Sequence, residues 1–181
     1  MVKGQSPRRL KLIDQYYKNK IADAEILLDN VWDPHNAAAV IRSCDGLGIK
    51  TINLYYSYNQ FPNLKRQGKR ASGAANKWIM FNKVVDIKQF AKEKKKEGFR
   101  FLAADLKKGA KNLSRYRFPK KCMIILGNEN LGISDEVKKV CDETVFIPMV
   151  GMTKSYNISV SAAIILYELF RQKGGKLKLR I

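Results

Sequence analysis

Gly151, Thr153, Lys154, Ser155 and Asn157 form a polar elbow between an apolar run, TVFIPM at 144 to 149, and a strongly apolar pattern over 157 to 172. The run reads as a short buried strand and the pattern as a buried helix, so polar groups at their junction are placed to meet a ligand. Gly151 frees the backbone to turn, while Ser155 and Asn157 offer a hydroxyl and an amide where the helix starts. Two further stretches carry comparable chemistry. In NVWDPHNAAAVIRSCDGLGI, Pro34 breaks a strand, Asn36 is a good N-cap and Gly48 a good C-cap. Ala37, Val40, Ile41, Cys44 and Leu47 make the apolar side of that helix, which leaves Asn36 and Arg42 off the stripe, with Arg42 in reach of Asp45. His35, the one histidine, fits local turn structure better than a general base. In MIILGNENLGISDEV the glycines fit G-x4-G, but Ile133 stands where a phosphate-binding loop needs lysine, and Glu129 would repel a phosphate. That argues against a nucleotide hydrolase, and a loop with an acid among exposed backbone groups would tolerate a cationic ligand instead. Ser134, followed by Asp135 and Glu136, makes a good start for the next helix.

These stretches need a frame. Strand-like runs at 26 to 31, 51 to 56, 77 to 81, 99 to 106, 122 to 126 and 144 to 149 alternate with helical patterns near 36 to 47, 86 to 97, 134 to 142 and 157 to 172. Such alternation predicts an α/β domain with a mostly parallel sheet flanked by helices. Ligands in that class bind beyond the carboxyl ends of strands, where all three polar stretches fall. Residues 1 to 25 read as a basic, helical amino-terminal extension, 26 to 173 as one domain, and 174 to 181 as a basic tail, with a basic loop at 57 to 76.

A chain of 181 residues, 45% of them apolar, can bury one sizeable core. Its 35 Lys plus Arg against 16 Asp plus Glu leave a net charge of +19, which implies a large polyanion as partner. Basic clusters beside aromatics, such as Arg115, Tyr116, Arg117 and Phe118, suit phosphate contact with base stacking. Cys44, Cys122 and Cys141 lie too far apart for a zinc site and read as reduced and inert, so no metal is expected. The first residues lack an apolar signal core and no stretch approaches a membrane span, so a cytoplasmic protein without membrane attachment is expected. The apolar helix at 157 to 172 is apolar nearly all round, which predicts burial on every side, within the domain or against a second copy.

Taken in order, NVWDPHNAAAVIRSCDGLGI, KRASGAANKWI, FLAADL, LGNENLGIS and IPMVGMTKSYNISVSAAIILYE resemble the motifs of the SPOUT superfamily of RNA methyltransferases. The similarity runs from about residue 25 to 173 and is greatest to the tRNA (guanosine-2′-O-)-methyltransferase branch. The resemblance implies a homodimer with a deep trefoil knot in its carboxyl half, transferring a methyl group from S-adenosylmethionine to a ribose 2′-hydroxyl of tRNA. The implied target is the D-loop guanosine at tRNA position 18. The same chemistry on a ribosomal RNA or a tRNA wobble nucleotide, and a catalytically silent RNA-binding module, are the alternatives. By matching positions, Ala104, Gly127, Ile147, Met149 and Tyr156 would hold the cofactor, and Asn36, Arg42, Glu129, Ser155 and Asn157 would be the catalytic polar groups. Tyr156 departs from the leucine usual in the family. An arginine is a poor base, so the role expected of Arg42 is to clamp the substrate phosphate and stabilise the developing alkoxide, with Asn36 orienting it. Arg8, Arg9, Lys11, Lys65, Arg66, Lys69 and Arg70 are the expected grip on the RNA.

Overall fold

Apolar side chains alternate between the two faces of a central sheet, and each face is covered by a different pair of helices. The structure, a computed structural model, describes Ser6, residues 21–61 and residues 78–174. In chain order the elements are β1 (Ile21–Asp29), α1 (Pro34–Gly46), β2 (Ile49–Tyr55), β3 (Met80–Val84), α2 (Ile87–Lys96), β4 (Arg100–Ala104) and β5 (Lys111–Asn112). A single 3-10 turn (Leu113–Arg115) leads into β6 (Cys122–Leu126), α3 (Asp135–Lys138), β7 (Glu143–Phe146) and α4 (Ile158–Gln172). The sheet is parallel throughout, in the order β3-β2-β1-β6-β4-β7-β5.

The two-residue period of the strands sorts the core. Ile26 and Leu28 of β1, with Ile124 and Leu126 of β6, face α1 and α4. Leu27, Met123, Ile125 and Phe101 face the other way, toward Ile87 and Ala91 of α2 and Val137 of α3. Both faces of β6 are fully covered, which explains why CMIIL is an unbroken apolar run.

Several boundaries move from their sequence-based positions. β1 starts at Ile21, so the last five residues of the expected helical preface are strand, hydrogen-bonded beside β2 and β6. β3 lies three residues beyond the KWIMF start, because Met80 to Val84 pair in register with Thr51 to Tyr55. The helix expected over 134 to 142 shrinks to the single turn α3. Strand character ends at Phe146, and Ile147 to Met149 instead run along a cavity wall. The two residues of β5 gave no periodicity to read.

Within one chain α4 is buried on one side only. Ile158, Ala162, Ile165, Leu166 and Leu169 face inward, while Val160 and Tyr167 are 44% and 56% exposed. Among the described residues, the sheet, α1 and the segment around the 3-10 turn protect one side of the helix. Cys44 and Cys122 are buried and Cys141 half-buried, and burial raises all three thiols. Among the described residues no cluster could hold a metal, and no helix is long and apolar enough to cross a membrane.

Candidate functional site

The carboxyl ends of β4, β6 and β7 open into a cavity of about 780 Å³, between the 127–133 loop and the start of α4. Each wall has a local cause. Gly127 ends β6 where the backbone doubles back: an added Cβ would lie 2.4 Å from the Gly132 carbonyl carbon and from Ile133 N. Asn128 and Gly132 close the loop by exchanging two backbone hydrogen bonds of 2.9 Å. The Asn128 side chain accepts from Asn130 N and Leu131 N and donates to Asn30 O at 2.8 Å. Leu126, Ile133, Ile158 and Ile165 line the interior.

A chain of side-chain amides and one carboxylate ties the three polar stretches together. Glu129 Oε1 accepts from Asn36 Nδ2 at 2.9 Å and from Asp33 N at 3.2 Å, and Oε2 accepts from Trp32 N at 2.9 Å. A carboxylate at the start of α1 also meets the positive end of the helix dipole. Asn36 Oδ1 in turn accepts from Asn157 Nδ2 at 3.0 Å. Asn157 caps α4, its Oδ1 accepting from Ser159 N at 2.8 Å.

Asp33, not Asn36, caps α1: its carboxylate accepts from His35 N at 2.7 Å, and Pro34 occupies the first helical position, where a missing N–H costs nothing. Asn36 is thereby released to bridge Glu129 and Asn157. Gly48 follows Leu47, the C-cap, in a left-handed conformation at φ 81°.

Behind this lies a buried support that the sequence did not reveal. Asn30, fully buried with φ 53°, accepts at its Oδ1 from Ser57 N, Tyr58 N and Asn59 N, fixing the turn after β2. Asp29, also buried, accepts from Asn30 Nδ2 at 2.8 Å and from Ser134 N at 2.6 Å. Burial raises its pKa, partly opposed by those hydrogen bonds. Ser134 precedes α3 but makes no side-chain cap. Nearby, Tyr55 donates its hydroxyl to Glu136, and burial with that bond pushes the phenol up to about 12.

All five positions expected at the cofactor, Ala104, Gly127, Ile147, Met149 and Tyr156, line the cavity. Asn36, Glu129, Ser155 and Asn157 line it too. Arg42 does not: it is exposed, lies outside the lining and makes no ion pair with Asp45 or any other described acid. Six residues separate it from Asn36, which turns it to another side of α1. His35 is exposed and outside the lining. Arg8, Arg9, Lys11, Lys65, Arg66, Lys69 and Arg70 lie outside the described residues. Sequence reasoning did not single out Asp105, Leu106, Asn128, Ser161 and Ile165, which lie within the quoted motifs and also line the cavity.

A profile described as the SpoU rRNA Methylase family matches residues 23–167. The chain belongs to this family. It is 34% identical to the tRNA (guanosine(18)-2'-O)-methyltransferase of Aquifex aeolicus, over 93% of this chain and 79% of that protein. Its fold superimposes on a crystal structure of the A. aeolicus TrmH/SpoU tRNA modifying enzyme with TM-score 0.83 and 31% identity, covering 92% of this chain and 83% of that one. It also shares the fold of the SpoU methyltransferase AviRb from Streptomyces viridochromogenes, solved with AdoMet, with TM-score 0.71 and 24% identity over 84% of this chain and 58% of that one. A SpoU-type RNA methyltransferase is therefore the class of enzyme to which this cavity belongs.

Proposed function

We propose that this chain methylates the ribose 2′-hydroxyl of the D-loop guanosine, position 18, in tRNA, with S-adenosylmethionine as methyl donor, acting in the cytoplasm as a homodimer. The observation that carries the reading is one shared cavity at the sheet's carboxyl edge, lined together by Asn36, Gly127, Glu129, Ile147, Ser155 and Asn157. The residues present fit the donor. The volume is that of a cofactor pocket, its interior is aliphatic, and its charged lining comprises Asp105, Glu129 and Lys154, an acidic balance suited to a sulfonium cation.

The donor supplies an already activated methyl group, so alignment and exclusion of water are what the protein must add. Leu126, Ile133, Ile147 and Ile165 give dry walls. Glu129 has both carboxylate oxygens engaged by three donors, which makes it a brace for the site in the resting chain rather than a free base. The Ser155 hydroxyl lines the cavity with no hydrogen-bond partner among the described residues, free to meet the ribose. Arg42, exposed and without an ion-pair partner among the described residues, is available for an RNA phosphate, and its planar fork suits that contact.

The uncovered side of α4, with Val160 and Tyr167, supports pairing with a second copy. The trefoil knot of the carboxyl half, the 26–173 domain with its two basic extensions, and the RNA grip through Arg8 to Lys11 and Lys65 to Arg70 belong to the same proposal. Incubating the protein with labelled S-adenosylmethionine and tRNA transcripts, then mapping the modified nucleotide, tests it. Label at guanosine 18, abolished by a 2′-deoxy substitution there, is the expected outcome. Label confined to ribosomal RNA or to the wobble nucleotide would replace the target, and no label in any RNA would overturn the reading.

A further inference from the structure

Trp32 combines a rigid backbone with a side chain left in water. Around it, Asn30 is locked by its hydrogen bonds to 57–59, and Val31 is fully buried with its carbonyl accepting from Tyr56 Oη at 3.0 Å. Trp32 N and Asp33 N both donate to Glu129, Asp33 caps α1, and Pro34 fixes the next φ. Each residue from 30 to 33 is thus held by at least one hydrogen bond of its backbone. Yet Trp32 is 63% exposed, and its backbone N–H donates to Glu129, which lines the cavity. A tryptophan left in water forgoes burial of a large apolar ring, which marks it for contact with something outside the chain.

We infer that Trp32 is a stacking platform for an unpaired base of the RNA substrate, flanking the nucleotide whose ribose enters the cavity. This rests on the proposed RNA methylation and extends it to how the substrate is held. A chain of net charge +19 gathers a polyanion. Lysine and arginine contacts to phosphate do not hold a loop nucleotide open, whereas an aromatic face offered at fixed orientation does, because every base has a flat π-face. The locked backbone matters, since a platform already in place loses little conformational freedom when the base arrives.

The chain has two tryptophans, and Trp32→Phe removes the indole of this one while keeping an aromatic face. Titrating wild-type protein with an unmodified tRNA transcript should quench tryptophan emission, and Trp32→Phe should lose most of that quenching. Trp32→Ala should raise KM for tRNA by about tenfold, the scale of one lost base stack, and Trp32→Phe should recover most of the affinity. Calorimetric affinity for S-adenosylmethionine and the melting temperature should stay at wild-type values in both variants. Unchanged KM in Trp32→Ala, or emission indifferent to tRNA, would overturn the inference. So would a shift of Trp32→Ala toward smaller species in sedimentation, which would assign the ring to contact with a second copy. Wild-type protein that is quenched by tRNA but methylates no RNA would refute the proposed function and leave the platform standing.

Discussion

Replacing Gly127 by alanine tests whether the 127–133 turn is built on a backbone contact that admits no side chain. The new methyl would lie 2.4 Å from the Gly132 carbonyl carbon, 2.4 Å from Ile133 N and 2.5 Å from Gly132 O. All three are main-chain atoms, so no rotamer change relieves the clash. The loop must open, and the paired Asn128–Gly132 hydrogen bonds are what opening breaks. Two such bonds contribute about 1 kcal/mol each, and overpacking costs about 1–3 kcal/mol where the backbone cannot move. Because opening relieves part of the clash, a net loss of about 3 kcal/mol is the expected sum, which lowers Tm by roughly 6–12 °C for a domain of this size. Thermal melting with calorimetric titration of S-adenosylmethionine reads both consequences, and affinity should fall with the displaced wall. Gly151→Ala is the control: nothing lies within 4 Å of its added Cβ, so its Tm should not move. A Gly127→Ala protein that melts within about 2 °C of wild type and still binds the donor normally would refute the reasoning.

Arg42→Ala should cut turnover by about 100-fold or more, as loss of a charge-stabilising donor does, while calorimetric donor affinity is unchanged, because Arg42 stands outside the cavity lining. Arg42→Lys should fail to restore the rate, since a point charge cannot reproduce the fork. tRNA affinity measured by filter binding should weaken by about 100-fold or more between 50 and 200 mM salt if several phosphates are neutralised, and a flat response would refute broad phosphate contact. Glu143 accepts from Lys111 and Tyr116, which with Arg100 hold its carboxyl below the ordinary 4.5. A depressed folded-state pKa stabilises above the unfolded value and loses that stabilisation as pH falls through the folded one. Glu143→Gln should therefore show a flatter loss of urea stability below about pH 4.5, and an unchanged acid limb would show that the carboxylate contributes nothing to folding.

The strands that were legible in the sequence are those whose pattern comes from burial alone. CMIIL is covered on both faces, and its bounds in the structure coincide with the run. Met80–Val84 sits at the sheet edge, mostly exposed, so its start could be fixed only by pairing with β2. At the site, turn and cap chemistry marked the glycine-rich turn that holds Gly127 and the polar helix start at Ser155 and Asn157, while the family resemblance assigned these residues and Glu129 to one site. The division of labour between Asp33 and Asn36 could not be read, because both residues cap well and only the position of Glu129, far along the chain, decides which is released. The Arg42–Asp45 pair was a local expectation that the structure does not realise, leaving one Asp45 carboxylate oxygen buried without a partner. Asn30 was invisible for a different reason: its bonds reach turns 27 to 29 residues on and the Asn128 amide, none of which leaves a local signature.

Asn36 is bonded to Glu129, 93 residues further on, and to Asn157, 121 residues further on. No stretch of the protein shorter than that span contains the whole brace. During synthesis the ribosome must therefore deliver the start of α4 before the brace is complete, whatever the earlier strands have already done. A product that ends before α4 lacks the Asn157 arm of the brace and the cavity wall formed by Ile158, Ser161 and Ile165, and recovery of donor binding after refolding reports that the last helix has docked.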